Sequence, residues 1–272
     1  MHTEANRAAW AEIDLGCVDF NIKEIAHKVG GASKVIGVIK SDAYGHGAAK
    51  IAQLLSDNGI CSFAVATLPE AIELRESGFT DEEIIPFSLI ADSLEGTVVE
   101  YNLSPLICSF YTAEQISEEA AKKGKIISGY IAVDTGMGRV GYNPDVPETI
   151  EEIVKINELS NFRIKGLFSH MSTADEADKS YANWQAERFK AFADKLESMG
   201  VSLPVKTFAN SAAIVDMPET YYDKSRAGLI LFGYYPSDEV DKSALSLKPA
   251  MSVKASIIQL KEVEKGTAIG YN

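Results

Sequence analysis

Cysteine is scarce in this chain of 272 residues, and the few cysteines present are poorly placed for cross-linking. Cys17, Cys61 and Cys108 are odd in number and far apart, which argues against a disulfide framework. Their spacing also lacks the close pairs that are typical of a zinc site. We therefore expect reduced structural thiols and no metal site.

Positive charge and long apolar runs are also in short supply. The chain has 26 lysine and arginine residues against 39 aspartate and glutamate residues, a net charge of −13. It offers no extended basic segment to neutralise a phosphate backbone, so we expect no nucleic-acid partner. No apolar run is long enough to cross a bilayer, and residues 1–4 lack a signal-peptide pattern. These absences predict a soluble, cytoplasmic protein with no membrane partner.

Apolar residues make up 46% of the chain, and they form short β-branched runs that alternate with amphipathic segments. The predicted strands cover residues 35–40, 62–67, 84–88, 105–110, 127–134, 163–170, 204–209 and 223–226. Eight strands alternating with helices favour an α/β fold, the closed (β/α)₈ or TIM barrel. A doubly wound open sheet is the alternative, but its usual Gly-x-Gly-x-x-Gly turn does not follow Val38.

The pattern predicts three segments: an N-terminal arm (1–10), the barrel (11–238) and the start of a second, β domain (239–272). Met251, Val253, Ala255 and Ile257 alternate with mostly polar residues, which predicts a half-buried antiparallel strand. Two or three strands do not make a stable β domain. We therefore expect the second domain to be incomplete in this chain.

The segment VIKSDAYGHG, residues 38–47, carries the strongest chemical signal. A buried strand ends at Lys40, a turn follows, and a helix begins near His46. Apolar surroundings favour the neutral form of an amine, which is a nucleophile and can form a Schiff base with a carbonyl. Taken alone, the segment fits better with a lysine that ends a strand and points to solvent.

Other polar residues follow the later strands, at the end of the barrel where active sites lie. They are Tyr44 after the first strand, Met137 and Arg139 after the fifth, His170 after the sixth, Asn210 and Ser211 after the seventh, and Arg226, Gly228 and Leu229 at the eighth. The loops after strands seven and eight can hold a phosphate through backbone N–H groups and the Ser211 hydroxyl. A Schiff-base lysine, a phosphate site and Arg226 as a partner for a ring nitrogen together indicate pyridoxal phosphate.

Each of these residues also has an ordinary structural interpretation. Ser211 can be a helix N-cap, and Gly228 can mark a tight turn. His170 can be a hydrogen-bonded core histidine, and Asp134 can pair with Arg139 to fix a loop. Their joint placement at successive strand ends favours the functional interpretation.

Six segments, in this order, resemble the alanine racemases, which are pyridoxal-phosphate enzymes of fold type III. They are VIKSDAYGHG (38–47), AVATLPEAIELRESGF (64–79), DTGMGRVG (134–141), GLFSHMSTAD (166–175), ANSAAI (209–214) and RAGLILFG (226–233). The resemblance extends from about Trp10 to Tyr271. It implies a homodimeric racemase that interconverts L- and D-alanine by two-base proton transfer and supplies D-alanine for the bacterial cell wall.

The resemblance also implies a role for each residue. Lys40 would bind the cofactor and act as one base, and Tyr271 of the second subunit would act as the other base. Arg226 would bond the ring nitrogen, and His170 would lie against the ring. The remaining cofactor contacts would come from Tyr44, Arg139, Asn210, Ser211, Gly228 and Leu229. Arg139 would also contact the substrate, together with Met137.

The sequence departs from the family pattern at several positions. Ala132 replaces a lysine that many members carry in carbamylated form to position the arginine equivalent to Arg139. We therefore expect no carbamate here, and another group must hold Arg139. Ala227 replaces a proline and Asn272 a glycine. Because the second domain is expected to be incomplete, we expect little or no turnover from this polypeptide.

Three other functions stay open. The first is a racemase of serine or of a broader range of amino acids. The second is a non-catalytic pyridoxal-phosphate-binding protein, typically a single barrel, against which the strand pattern in residues 245–269 argues. The third is a decarboxylase of the related barrel type, where an acidic partner of the ring nitrogen would be expected instead of Arg226.

Overall fold

Ten strands are present in the computed structural model, which describes residues 8–271. They are β1 (Ala9–Ile13), β2 (Val35–Val38), β3 (Ser62–Val65), β4 (Glu83–Pro86), β5 (Leu106–Ile107), β6 (Ile127–Ala132), β7 (Phe162–Phe168), β8 (Val205–Thr207), β9 (Ser225–Ala227) and β10 (Met251–Ala255). The strands β2 to β9 correspond in order to the eight predicted strands.

Helical segments separate these strands along the chain. They are α1 (Leu15–Val29), α2 (Lys40–Gly45), α3 (Ala48–Asp57), α4 (Leu68–Glu76), α5 (Glu95–Glu100), α6 (Phe110–Lys122), α7 (Pro147–Asn157), α8 (Ser180–Ser198) and α9 (Ser211–Asp216). Short 3₁₀ turns cover Ala32–Lys34, Pro218–Thr220 and Leu229–Phe232.

The eight central strands form two parallel sheets that close into a barrel. One sheet has the order β4-β3-β2-β9 and the other β5-β6-β7-β8. Backbone hydrogen bonds join the two sheets, because Ser104 N donates to Ile84 O (2.9 Å) and Arg226 N donates to Ala209 O (2.9 Å). The predicted (β/α)₈ barrel is therefore confirmed, and the open-sheet alternative is excluded.

Strand alternation decides which side chains fill the barrel, because successive residues of a strand point to opposite faces. One buried cluster lies inside the barrel: Ile36, Val38, Ala64, Ile85, Leu106, Tyr130, Ala132 and Phe168. Val35 and Ile39 belong instead to the larger cluster between the strands and the helices. Lys40 follows Ile36 and Val38 at a spacing of two residues, so the inward-facing row of β2 leads to Lys40 at the mouth.

A polar cluster closes the opposite end of the barrel. The Glu83 carboxylate accepts a hydrogen bond from Tyr130 Oη (2.9 Å) and lies 2.7 Å from Lys165 Nζ. Lys224 lies 3.5 Å from the same carboxylate. Burial raises the pKa of Glu83, but the two ammonium groups outweigh burial and hold it below its ordinary value. A charged, paired carboxylate thus fills the end opposite Lys40.

The predicted strands extend past the observed ones, mainly at their carboxyl ends. The first runs to Lys40 in the prediction, whereas β2 ends at Val38. The fourth predicted strand, which corresponds to β5, runs to residue 110. In the structure α6 begins at Phe110, because the Ser109 hydroxyl caps its N-terminus by accepting from Thr112 N (3.2 Å). Apolar residues at these ends pack against helices, and an apolar pattern alone does not distinguish that burial from strand pairing.

The strand predicted near the end of the chain is antiparallel, as expected. β10 pairs with β1, a strand that the sequence pattern did not reveal. The expected half-burial of β10 is wrong, because Val253 is 78% exposed in this two-stranded ribbon. Residues 1–7 of the predicted arm, and Asn272, lie outside the described residues. The boundaries of the three segments stay a prediction.

Two further observations concern residues 8–271. None of their helices combines the length and the apolar character needed to cross a membrane. Cys17, Cys61 and Cys108 are all free thiols, and burial raises the pKa of Cys108.

Candidate active site

A cavity of about 280 Å³ opens at the mouth of the barrel where the strands end. The predicted site residues that line it are Lys40, Tyr44, Met137, Arg139, His170, Asn210, Ser211, Arg226, Gly228 and Leu229. Tyr271 is the exception, since it lies outside this cavity and is fully exposed. One chain therefore brings together every predicted site residue except the proposed second base.

Lys40 begins a left-handed turn. Residues 41–44 all have φ between 52° and 56°, so α2 is a left-handed turn built without glycine at those positions. Left-handed helical geometry costs an L-residue roughly 1–2 kcal/mol. Such a turn persists only where the surrounding structure holds it. No local pattern in the sequence predicts this geometry.

The left-handed turn brings Tyr44 into the cavity beside Lys40. The Lys40 Nζ lies 5.8 Å from the centre of the Tyr44 ring. The ring also packs at 5.3 Å from Phe232, and burial raises the pKa of Tyr44. A Cβ atom added to Gly228 would lie 2.8 Å from Tyr44 Oη. Glycine at position 228 therefore leaves the room that the tyrosine hydroxyl occupies.

Ser211 lies on the same side of the cavity as Gly228. Its Oγ accepts a hydrogen bond from Gly228 N (3.0 Å), which leaves the hydroxyl proton able to donate. The N-cap of α9 is Asn210, whose Oδ1 accepts from Ala213 N (3.1 Å). The helix N-cap role that was considered for Ser211 is therefore filled by Asn210. The Ser211 hydroxyl can instead donate its proton to an anion.

Arg226 is a fully buried cation. Its Nη1 donates to Thr207 Oγ1 (3.0 Å), and its Nη2 donates to Ser169 O (2.7 Å) and Phe208 O (3.1 Å). The guanidinium also lies 4.4 Å from the centre of the Phe168 ring. Its Nε is buried and has no hydrogen-bond partner within residues 8–271. Burial lowers the pKa of Arg226 to about 9, so the group is still charged at neutral pH.

His170 is held in one tautomer by Arg226. Its Nδ1 lies 3.1 Å from Arg226 Nη2. Because a guanidinium can only donate, Nδ1 is the acceptor and the ring proton is on Nε2. Burial, and then the charges of Arg226, Arg139 and Lys40, lower the pKa of His170 well below its ordinary value. The imidazole is therefore neutral at physiological pH.

This neutral histidine is expected to make the fold less stable in acid. The unfolded chain protonates His170 first, so the free energy of unfolding falls below about pH 6.5, by at most about 1.4 kcal/mol per pH unit, until the folded pKa is reached. Urea unfolding across this range should show a shallower pH slope in His170→Asn. The exposed His27→Asn variant on α1 is the control and should keep the slope of the unaltered chain. An unchanged slope in His170→Asn contradicts this assignment.

The loop after β6 is fixed by Asp134. Its Oδ1 accepts from Gly136 N (2.9 Å) and Gly138 N (3.0 Å), so the carboxylate organises the loop through backbone amides. The exposed Arg139 follows in this loop and also lines a second cavity of about 190 Å³, together with Lys40. Asp134 therefore fixes the loop, as the structural interpretation expected, and it does so by accepting hydrogen bonds from backbone amides.

Sequence reasoning missed three contributors to the site. Thr207 and the backbone carbonyl of Ser169 anchor Arg226 from neighbouring strands. Glu70 accepts a hydrogen bond from Ser41 N, next to Lys40. Glu70 carried one weak signal, because Thr67-x-x-Glu70 is a helix capping-box pattern.

Comparisons with known proteins agree with this geometry. A family model described as "Alanine racemase, N-terminal domain" matches residues 13–236. The chain belongs to the alanine racemase family. The alanine racemase of Clostridium tetani is 45% identical over 97% of this chain and 68% of its own length, and that of Clostridium kluyveri is 44% identical over 97% and 67%. The solved alanine racemase of Clostridium difficile 630 has a TM-score of 0.94 and 38% identity, covering 98% of this chain and 70% of its own.

Ala132 is the position at which the sequence departs most clearly from the pattern expected of the alanine racemase family. This residue is fully buried in the barrel cluster with Leu106 and Phe168. Its methyl group has no amine and cannot form the carbamate that the family resemblance associates with this position. Ala132 therefore contributes apolar packing to the barrel interior, at the position where the resemblance implies a lysine in many members.

Proposed function

We propose that this chain is an alanine racemase that binds pyridoxal phosphate at the mouth of the barrel. The observation that carries the proposal is a single cavity that joins Lys40, the buried Arg226 and the Ser211 and Gly228 loops. This cofactor requires a lysine for the Schiff base, an anion site for its phosphate and a partner for its ring nitrogen, which here would be the Arg226 guanidinium.

The residues present fit the cofactor. Arg226 Nε is a buried donor without a partner among the described residues, so it suits an acceptor such as a pyridine nitrogen. The Ser211 hydroxyl proton and the Tyr44 hydroxyl can donate to a phosphate. Gly228 leaves space that a Cβ atom would fill. Bound pyridoxal phosphate would supply an electron-withdrawing ring that makes the α-proton of an attached amino acid easier to remove.

Arg226 also supports racemisation over the decarboxylase alternative. Its hydrogen bonds to Thr207, Ser169 and Phe208 hold the guanidinium in place, and it is charged at neutral pH. A guanidinium cannot accept a proton or stabilise a protonated ring nitrogen. The ring would then be a weaker electron sink, which favours proton removal and return over reactions that need longer-lived carbanions.

Two bases would move the α-proton. Lys40 stands at the cavity on one side. Tyr271 is fully exposed and outside the cavity of its own chain, so it is available to a second copy. Two bases on opposite faces of one carbon allow removal on one side and return on the other, in both directions. This arrangement requires a homodimer.

Racemisation assays test the proposed function directly. The incomplete second domain led to the expectation of little or no turnover, but one chain forms the cavity around Lys40 and also carries Tyr271. We therefore expect the purified chain, supplied with pyridoxal phosphate, to convert L-alanine to D-alanine and D-alanine to L-alanine at a rate that chiral chromatography can measure. L-serine is the comparison substrate, and we expect it to react more slowly. Faster conversion of serine would favour the broader racemase. Cofactor binding without any conversion of either amino acid would favour the non-catalytic binding protein.

Mixing two variants tests the shared site. Lys40→Ala and Tyr271→Phe are each expected to be inactive as homodimers. When they are co-expressed, half of the dimers contain one intact site, so about one quarter of the unaltered turnover should return if the copies mix statistically. Co-expression of Lys40→Ala with Lys40→Ala Tyr271→Phe is the control and restores nothing. Absence of recovery in the test pair would mean that Tyr271 does not serve the partner's site.

A further inference from the structure

The left-handed turn after Lys40 needs a partner outside itself. Residues 41–44 all adopt positive φ without glycine, so their own conformational preferences oppose the turn. Lys40 immediately precedes these residues, and any relaxation of the turn would redirect its side chain. The group that stabilises the first peptide of the turn therefore also sets the direction of Lys40.

Glu70 supplies that partner. Its Oε1 accepts from Ser41 N (3.0 Å), and its Oε2 accepts from Ala66 N (2.7 Å). The Ser41 amide belongs to the peptide bond that joins Lys40 to Ser41, and Ala66 directly follows β3. Because β2 and β3 are adjacent, with Val38 opposite Ala64, one carboxylate ties the ends of two neighbouring strands together.

An ordinary capping role does not account for these contacts. In a capping box, the glutamate at the third helical position binds the backbone N–H of the N-cap residue itself. Here the N-cap of α4 is Thr67, whose side chain accepts from Glu70 N at 3.4 Å. The Glu70 carboxylate instead binds Ala66, one residue before the cap, and Ser41, from a different segment.

We propose that Glu70 is a positioning residue that holds the left-handed turn and thereby aims Lys40 into the cavity. The proposal rests on the proposed function in one respect, namely that Lys40 is the residue that bonds to the cofactor. Glu70 does not line the main cavity, and it acts through the Ser41 amide.

The first test uses the protein without added cofactor. Amide hydrogen exchange at Ser41 should be at least about tenfold faster in Glu70→Gln, because a carboxamide can accept from only one of the two amides. Glu70→Ala should give a larger acceleration. Glu73→Gln is the matched control, since Glu73 is an exposed carboxylate one turn further along α4. Amides in α3 should exchange at unaltered rates in all variants that fold.

The second test follows the bond between Lys40 and pyridoxal phosphate. Its rate of formation, read from the absorbance at about 420 nm, should fall at least about tenfold in Glu70→Gln. The turnover number for alanine should fall with it, while KM changes less. Glu70→Asp keeps the charge and should recover part of the rate.

The outcomes separate the two proposals. An unaltered chain that forms no adduct at Lys40 overturns the proposed function, while exchange at Ser41 still reports on Glu70. Unchanged exchange at Ser41 in Glu70→Ala overturns the hold on the turn, because alanine leaves neither amide an acceptor. Faster exchange with an unchanged rate of adduct formation also overturns the inference, because Glu70 would then stabilise the turn without aiming Lys40.

Discussion

Replacing Lys40 with alanine is expected to lower alanine racemisation by at least roughly a thousandfold, because the change removes both the covalent attachment and one of two bases. The absorbance band of the protein-bound imine, at about 420 nm, should disappear. The free cofactor should still enter the cavity, since Arg226, Ser211 and Gly228 are unaltered. Absorbance spectra and chiral chromatography on the same sample measure both effects.

The control for this change is Lys50→Ala, which removes an exposed lysine from α3. Its spectrum and turnover should match those of the unaltered chain. Borohydride reduction followed by mass spectrometry should place the cofactor adduct on the peptide that contains Lys40. A band that persists in Lys40→Ala, or an adduct on another lysine, would refute the central assignment.

Replacing Arg226 with methionine is expected to lower the free energy of unfolding by about 2–4 kcal/mol, because several buried acceptors lose their donor at once. These acceptors are Thr207 Oγ1, Ser169 O and Phe208 O, and all are nearly inaccessible to water. Methionine has a similar length, so the cavity left behind is small. Binding of pyridoxal phosphate should weaken at least about tenfold, since the free Nε donor is lost.

Arg163→Met is the matched control for Arg226. Arg163 also donates to backbone carbonyls, those of Leu159, Ser160 and Phe162, but it is exposed, and water can replace it. We expect its loss to cost less than about 1 kcal/mol. Urea unfolding measures both variants. An Arg226→Met chain as stable as Arg163→Met would show that the buried guanidinium is not needed for the fold.

Much of the site was predictable because its residues share a position relative to the strands. Lys40 and His170 lie just beyond the ends of their strands, and Arg226 lies one residue before the end of β9. Parallel strands in a closed barrel bring those ends to one mouth. The inward-facing spacing of Ile36 and Val38 also extends to Lys40. A local pattern combined with a topological rule therefore sufficed to predict one cavity.

The sequence did not predict features that depend on contacts between distant segments. Four successive left-handed residues contradict their own local preferences, so hydrogen bonds to other residues must stabilise them. Val253 was expected on a half-buried strand and is exposed. Alternation shows which residues share a face, but it does not show whether another layer covers that face. Asn210, rather than Ser211, caps α9, a shift of one residue that propensity does not resolve.

The sequence by itself determined the barrel, the order of its strands and the residues at its mouth, because periodicity and strand-end position are properties of short stretches of chain. Only the tertiary structure decided that Arg226 Nε is buried without a hydrogen-bond partner among residues 8–271, and that Glu70 reaches Ser41, 29 positions away. A hydrogen bond across that separation depends on how β2, β3 and α4 pack, and no local pattern encodes that packing.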